Sequence, residues 1–115
     1  MSSVRITEQS YLVLLALAEE PRHGYAIVQA VRDLSDGEVR LGAGTLYGVL
    51  DRLVAAGWAE ASGEEVVDGR LRRYYRLTGA GREAVAAYTD RLAALARRAR
   101  RVVGPAARPA SGGAW

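Results

Sequence analysis

Between Gly44 and Gly57 the chain runs GTLYGVLDRLVAAG, with Leu46, Val49, Leu50, Leu53 and Val54 at positions i, i+3, i+4, i+7 and i+8. That spacing puts all five on one stripe of a helix, and so apolar a stripe has to pack into a core. The opposite side of the same wheel is bare. Gly44, Gly48, Asp51 and Ala55 lie there, flanked by Thr45, Tyr47 and Arg52, where a solvated face ordinarily carries long charged side chains. Glycine in a helix interior costs roughly 1 kcal/mol relative to alanine, so Gly48 asks for a reason. Small residues let a helix backbone come close to another body, and a nucleic-acid groove is one such body.

The segment that follows supports a groove. Ala59 to Val66 and Leu71 to Leu77 read as two extended runs joined by Val67-Asp68-Gly69-Arg70, and Asp-Gly between such runs signals a hairpin. Period-two alternation gathers Arg70, Arg72, Tyr74 and Arg76 on one face of the second run and Leu71, Arg73, Tyr75 and Leu77 on the other. A helix followed by a basic hairpin predicts a winged helix.

Upstream, Thr7 and Glu8 supply an N-cap and a first-turn acid for a largely buried helix over Tyr11 to Ala18, which Pro21 breaks. A second helix is expected from His23 or Gly24, with Ile27, Ala30, Val31 and Leu34 toward the core and a stop at Ser35-Asp36-Gly37. Val39-Arg40-Leu41 reads as an extended link, and the third helix opens at Gly42 or Ala43. Thr78 caps a last helix reaching about Val103, along which Val85, Tyr88, Leu92, Leu95, Ala99 and Val102 alternate steps of three and four. That is a short heptad seam, predicted to pair with a second copy because a helix roughly 40 Å long outruns so small a domain. Residues 104–115, rich in Pro, Ala, Ser and Gly, are expected to be a disordered tail. The expected organisation is therefore a binding domain over 1–77, a dimerisation helix over 78–103 and the tail.

Composition narrows the chemistry. The 115 residues suit one domain, and there is no cysteine and one histidine, His23. No cofactor, metal or catalytic assembly of base, nucleophile and orienting group is expected from that inventory. No apolar run approaches the ~20 residues of a membrane span and no leader pattern is seen, so a cytoplasmic location is expected. The net charge of +3 hides an asymmetry: residues 1–77 hold 9 Arg against 11 acids, and residues 78–115 hold 7 Arg against 2. Attraction to phosphate must then be local, chiefly at Arg70, Arg72, Arg73 and Arg76.

Several motifs together resemble the PadR-like transcriptional regulators. Leu14-Leu15-Ala16-Leu17 with Pro21-Arg22-His23-Gly24-Tyr25-Ala26-Ile27 is similar to the family's first helix and the opening of its second. Gly44-Thr45-Leu46-Tyr47 matches the start of its recognition helix, and Asp51-Arg52-Leu53 with Ala56-Gly57-Trp58 resembles that helix's end. Arg72-Arg73-Tyr74-Tyr75-Arg76-Leu77-Thr78 with Gly81-Arg82 resembles the wing strand and the turn after it. The family usually has Ser-Pro before Gly-Thr-Leu-Tyr and Pro after it, where this chain has Gly42-Ala43 and Gly48; Trp58 replaces an aliphatic residue. A single last helix resembles the family's short branch, which implies a homodimer and, in some members, a flat aromatic or drug-like effector between subunits.

The resemblance implies a mainly α winged helix-turn-helix with a small hairpin and a long dimerisation helix, acting as a DNA-binding repressor of a pseudo-palindromic operator. Recognition helices of such a dimer sit ~34–36 Å apart or a multiple of that. Candidate contacts to double-stranded DNA are His23, Gly24, Tyr25, Thr45, Tyr47, Gly48, Asp51, Arg52, Arg70, Arg72 and Arg73. Thr45 and Asp51 are expected at base edges, Tyr47 and Arg52 at phosphate or guanine. Val85, Tyr88, Leu92, Leu95, Ala99 and Val102 are the dimer candidates, and Tyr88 the effector candidate. The alternative is a winged-helix module whose partner is a protein, in keeping with the acidic first 77 residues.

Overall fold

The computed structural model describes residues 5–105 and contains four helices and one three-stranded antiparallel sheet. In chain order these are α1 Glu8–Glu19, β1 Arg22–His23, α2 Gly24–Leu34, α3 Ala43–Ala55, β2 Ala59–Val67, β3 Arg70–Leu77 and α4 Gly79–Val103. The tail expected at 104–115 lies, from residue 106 onward, outside the described residues.

Caps set the helix bounds. The Thr7 hydroxyl accepts from the Ser10 N–H at 3.1 Å while the Ser10 hydroxyl oxygen accepts from the Thr7 N–H at 2.8 Å, a reciprocal box that opens α1. α3 begins on Gly42 with no side-chain cap. It ends in a Schellman turn: Gly57, at φ 80°, donates to the Val54 carbonyl at 2.9 Å and Trp58 to the Leu53 carbonyl at 2.9 Å. Thr78 caps α4 by accepting from the Gly81 N–H at 2.9 Å, and its own hydroxyl donates to the Gly57 carbonyl at 2.6 Å.

The core gathers Val13, Leu14 and Leu17 of α1, Ile27 and Val31 of α2, and Leu46, Val49, Leu50 and Leu53 of α3, closed below by Ala59, Leu77 and Val85. Two residues expected in it are exposed instead. Val54 ends the α3 stripe at its margin in the helix's last turn, and Leu34 lies in the last turn of α2, where the chain already swings away through Asp36 at φ 53°.

The hairpin is one pair longer at its tip than the sequence runs indicate, since Val67 pairs with Arg70 and only Asp68 and Gly69 turn. Both have positive φ, 52° and 74°, as a two-residue turn between right-twisted strands requires. β2 carries a bulge between Ala61 and Gly63. β3 occupies the middle of the sheet because β1, a strand the periodicity does not predict, pairs with its far edge as Arg22 with Tyr75 and His23 with Tyr74. No helix among the described residues is long and apolar enough to cross a membrane.

Candidate nucleic-acid interface

The bare face of α3 is open in three dimensions. Gly44, Thr45, Tyr47, Asp51, Arg52 and Ala55 are exposed and Gly48 is half-buried, while Leu46, Val49, Leu50 and Leu53 on the other side are buried. A Cβ added at Gly44 would meet nothing within 4 Å, and one at Gly48 would meet only the Arg52 guanidinium at 3.9 Å. Nothing inside the molecule requires glycine at either place. Gly24 differs: a Cβ there would lie 2.6 Å from the Tyr47 hydroxyl oxygen and 3.5 Å from Leu46, so the start of α2 seats the Tyr47 ring. Of the expected contact residues, Gly24 is buried against Tyr47, whereas Tyr25 beside it is exposed, its hydroxyl accepting from Gln29 at 3.2 Å.

His23 joins this helix pair to the wing. Its Nδ1 accepts from the Ala26 N–H at 3.5 Å, capping α2, and its ring meets Tyr74 edge-on with centroids 5.4 Å apart. Arg72 brings a guanidinium nitrogen to 3.5 Å from Nε2. Partial burial, and then the Arg72 charge, hold the His23 pKa below its ordinary 6.5, against an opposing pull from Glu65. Tyr47, Gly24, His23 and Arg72 thus form one continuous strip from α3 to the wing.

The four wing arginines, expected as a set, divide into two pairs. Arg73 lies 3.4 Å from Glu64 and Arg76 lies 2.7 Å from Glu60, both across the strands. Arg70 and Arg72 make no ion pair within 4.0 Å among the described residues, even though Glu65 is the register partner of Arg72. The partner of Arg76 is not legible in the sequence, because the β2 bulge changes which acids face which arginines.

The heptad positions divide too. Val85 is buried within the chain's own core, not held free for a partner. Tyr88 is half-buried and packs edge-on against Tyr11 at 5.2 Å; Leu92 is half-buried; Leu95, Ala99 and Val102 are exposed, Leu95 at 59% and Val102 at 82%. A groove of about 730 Å³ runs beside them, lined by Arg5, Ile6, Trp58, Ala84, Ala87, Tyr88, Arg91, Leu92 and Leu95. Of these, Arg5, Ile6, Trp58, Ala84, Ala87 and Arg91 were not expected there. The groove draws on three separated segments, and no periodicity within one of them reveals it.

Residues 13–87 match the model of the transcriptional regulator PadR-like family. The Mycobacterium tuberculosis protein called Transcriptional regulator Rv3488 is 42% identical over 101 residues, covering 88% of each chain. A 37.1 kDa protein of transposon TN4556 from Streptomyces fradiae is 45% identical over 80 residues, and this chain spans only 21% of its length. Among solved structures, a PadR family regulator of Clostridium difficile superposes with a TM-score of 0.73 at 23% identity, covering 85% of this chain and all of that one. Bacillus subtilis PadR in complex with operator DNA gives 0.63 at 17% identity, covering 72% of this chain and 47% of that one. Those likenesses establish the winged-helix fold, and the family match over a helix-turn-helix and wing of this form means that the chain belongs to the PadR-like family of transcriptional regulators.

Proposed function

We propose that the chain represses transcription by binding a pseudo-palindromic operator as a homodimer, with α3 in the major groove and the wing on the flanking backbone. The observation that carries this is the exposed face of α3, where Gly44 and Gly48 leave open space that no internal contact uses. Thr45 and Asp51 on that face reach base edges, Asp51 accepting from a cytosine amine, while Tyr47 and Arg52 take phosphate or guanine. Arg70 and Arg72, which make no ion pair among the described residues, add backbone contacts, with Arg73 freed only when its exposed pair with Glu64 opens. The structurally similar Bacillus subtilis PadR, solved on operator DNA, supports the choice of partner. Work in the cytoplasm follows from that role.

Dimerisation through α4 covers the exposed Leu95, Ala99 and Val102 and encloses the groove at Trp58 and Tyr88, where a flat aromatic effector is received. Such an effector shifts the protein off DNA only by binding the DNA-incompetent spacing more tightly. Mobility-shift titration against DNA upstream of the chain's own gene tests the proposal: a salt-dependent preference over random duplex is expected, and equal binding to both overturns it.

A further inference from the structure

His23 and Arg72 present an unusual pairing of donors. A neutral imidazole has one N–H and one lone pair, and the lone pair on Nδ1 is occupied by the Ala26 N–H that it caps. The tautomer that fits this cap carries its proton on Nε2. The Arg72 guanidinium, which has donors only, stands 3.5 Å from that Nε2. In that tautomer two donors face one another. Glu65 on β2, whose charge acts on His23, is the register partner of Arg72 but makes no ion pair with it within 4.0 Å among the described residues. The arrangement is held in place from several sides: His23 is paired with Tyr74 in the sheet, set edge-on to its ring and fixed to the first turn of α2.

We infer that His23 Nε2–H and the Arg72 guanidinium form a single seat for one phosphate diester of the DNA backbone. The inference rests on the DNA-binding reading above. A phosphate has an acceptor oxygen for each donor and a negative charge opposite Arg72, and charge-assisted bonds of this kind are the strong ones. The seat lies where wing and helix-turn-helix meet, so one phosphate registers both parts on the duplex at once. Arg72, Tyr74 and Glu65 are the titratable groups that face His23 from the sheet, and Tyr47 of α3 lies against the adjoining Gly24. Among these Glu65 opposes an incoming phosphate.

His23 is the chain's only histidine, so its ring signals in an NMR spectrum are unambiguous. The experiment follows its titration in the full chain, free and bound to a duplex that the chain itself selects from a random-sequence pool, with binding measured by anisotropy on the same sample. A phosphate in the seat favours the charged ring, and the midpoint is expected to move to higher pH on the duplex. Arg72→Ala should lower the salt slope of binding by about one. His23→Asn combined with Arg72→Ala should lose less affinity than the two single losses multiplied, because both hold the same phosphate. Glu65→Gln should tighten binding. A midpoint that stays put or falls on a duplex the chain does bind overturns the seat alone. Failure of the chain to select any duplex overturns the DNA-binding reading, and the seat with it.

Discussion

Gly24, Gly44, Gly48 and Gly81 look alike in the sequence, but the structure gives them opposite physics. Gly81 lies under the Trp58 backbone carbonyl, so a Cβ there collides with a group that cannot rotate away. Gly81→Ala should lower stability by about 2 kcal/mol, as overpacking against a fixed neighbour does, and a thermal melt measures it. Gly48 faces open space, and Gly48→Ala should raise stability by ~0.5–1 kcal/mol through helix propensity alone. Gly48→Leu should keep the fold yet weaken binding to the chain's preferred duplex by about tenfold, ~1.4 kcal/mol, because the added side chain fills the approach to the groove. His23 adds a pH term. Its folded pKa lies below the unfolded 6.5, so the folded state holds fewer protons and stability falls as pH drops from above 6.5 through the folded value. The ring is only partly buried, so the effect is small. His23→Asn, which caps without titrating, should flatten that part of a stability profile measured by denaturant melts at stepped pH.

At the scale of the element, the wing holds two kinds of arginine. Arg70→Ala should reduce the salt slope of DNA binding by about one, whereas Arg76→Ala, whose charge Glu60 already balances at 2.7 Å, should change it far less. Comparing the two slopes in one buffer series is the check. The helices were legible in the sequence because their ends are chemical: Thr7, His23 and Thr78 cap, and Asp36-Gly37 and Gly57 stop. The Asp68-Gly69 turn was legible for the same reason. β1 was not, since two residues carry no periodicity and form a strand only through pairing with Tyr74 and Tyr75, some fifty positions away. The bulge at Ser62 hid the acid partner of Arg76, because period-two reasoning assumes unbroken alternation. In the candidate site, residue types and faces were readable from spacing on α3, while the strip from Tyr47 to Arg72 exists only through tertiary contacts.

For the whole molecule, the proposed assembly rests on the long last helix. Beyond Leu92 every residue of α4 is exposed, and Leu95 and Val102 leave most of their apolar surface uncovered in a single chain. Leu92→Glu with Leu95→Glu should give a monomer in sedimentation, and a persisting dimer would show that another surface holds the copies together. The base of α4 is tied to the end of α3 with little slack. The Thr78 N–H donates to the Trp58 carbonyl at 3.0 Å, the Thr78 hydroxyl to the Gly57 carbonyl, and Gly81 packs beneath that same Trp58 carbonyl. Such a joint makes α4 a lever whose fulcrum is the end of α3. At 1.5 Å per residue the lever is ~37 Å long, so a sideways shift of about 3 Å at its far end turns the base by roughly 5°. In the proposed dimer, a modest slip between two such helices at their tips would therefore be delivered, as rotation, to α3.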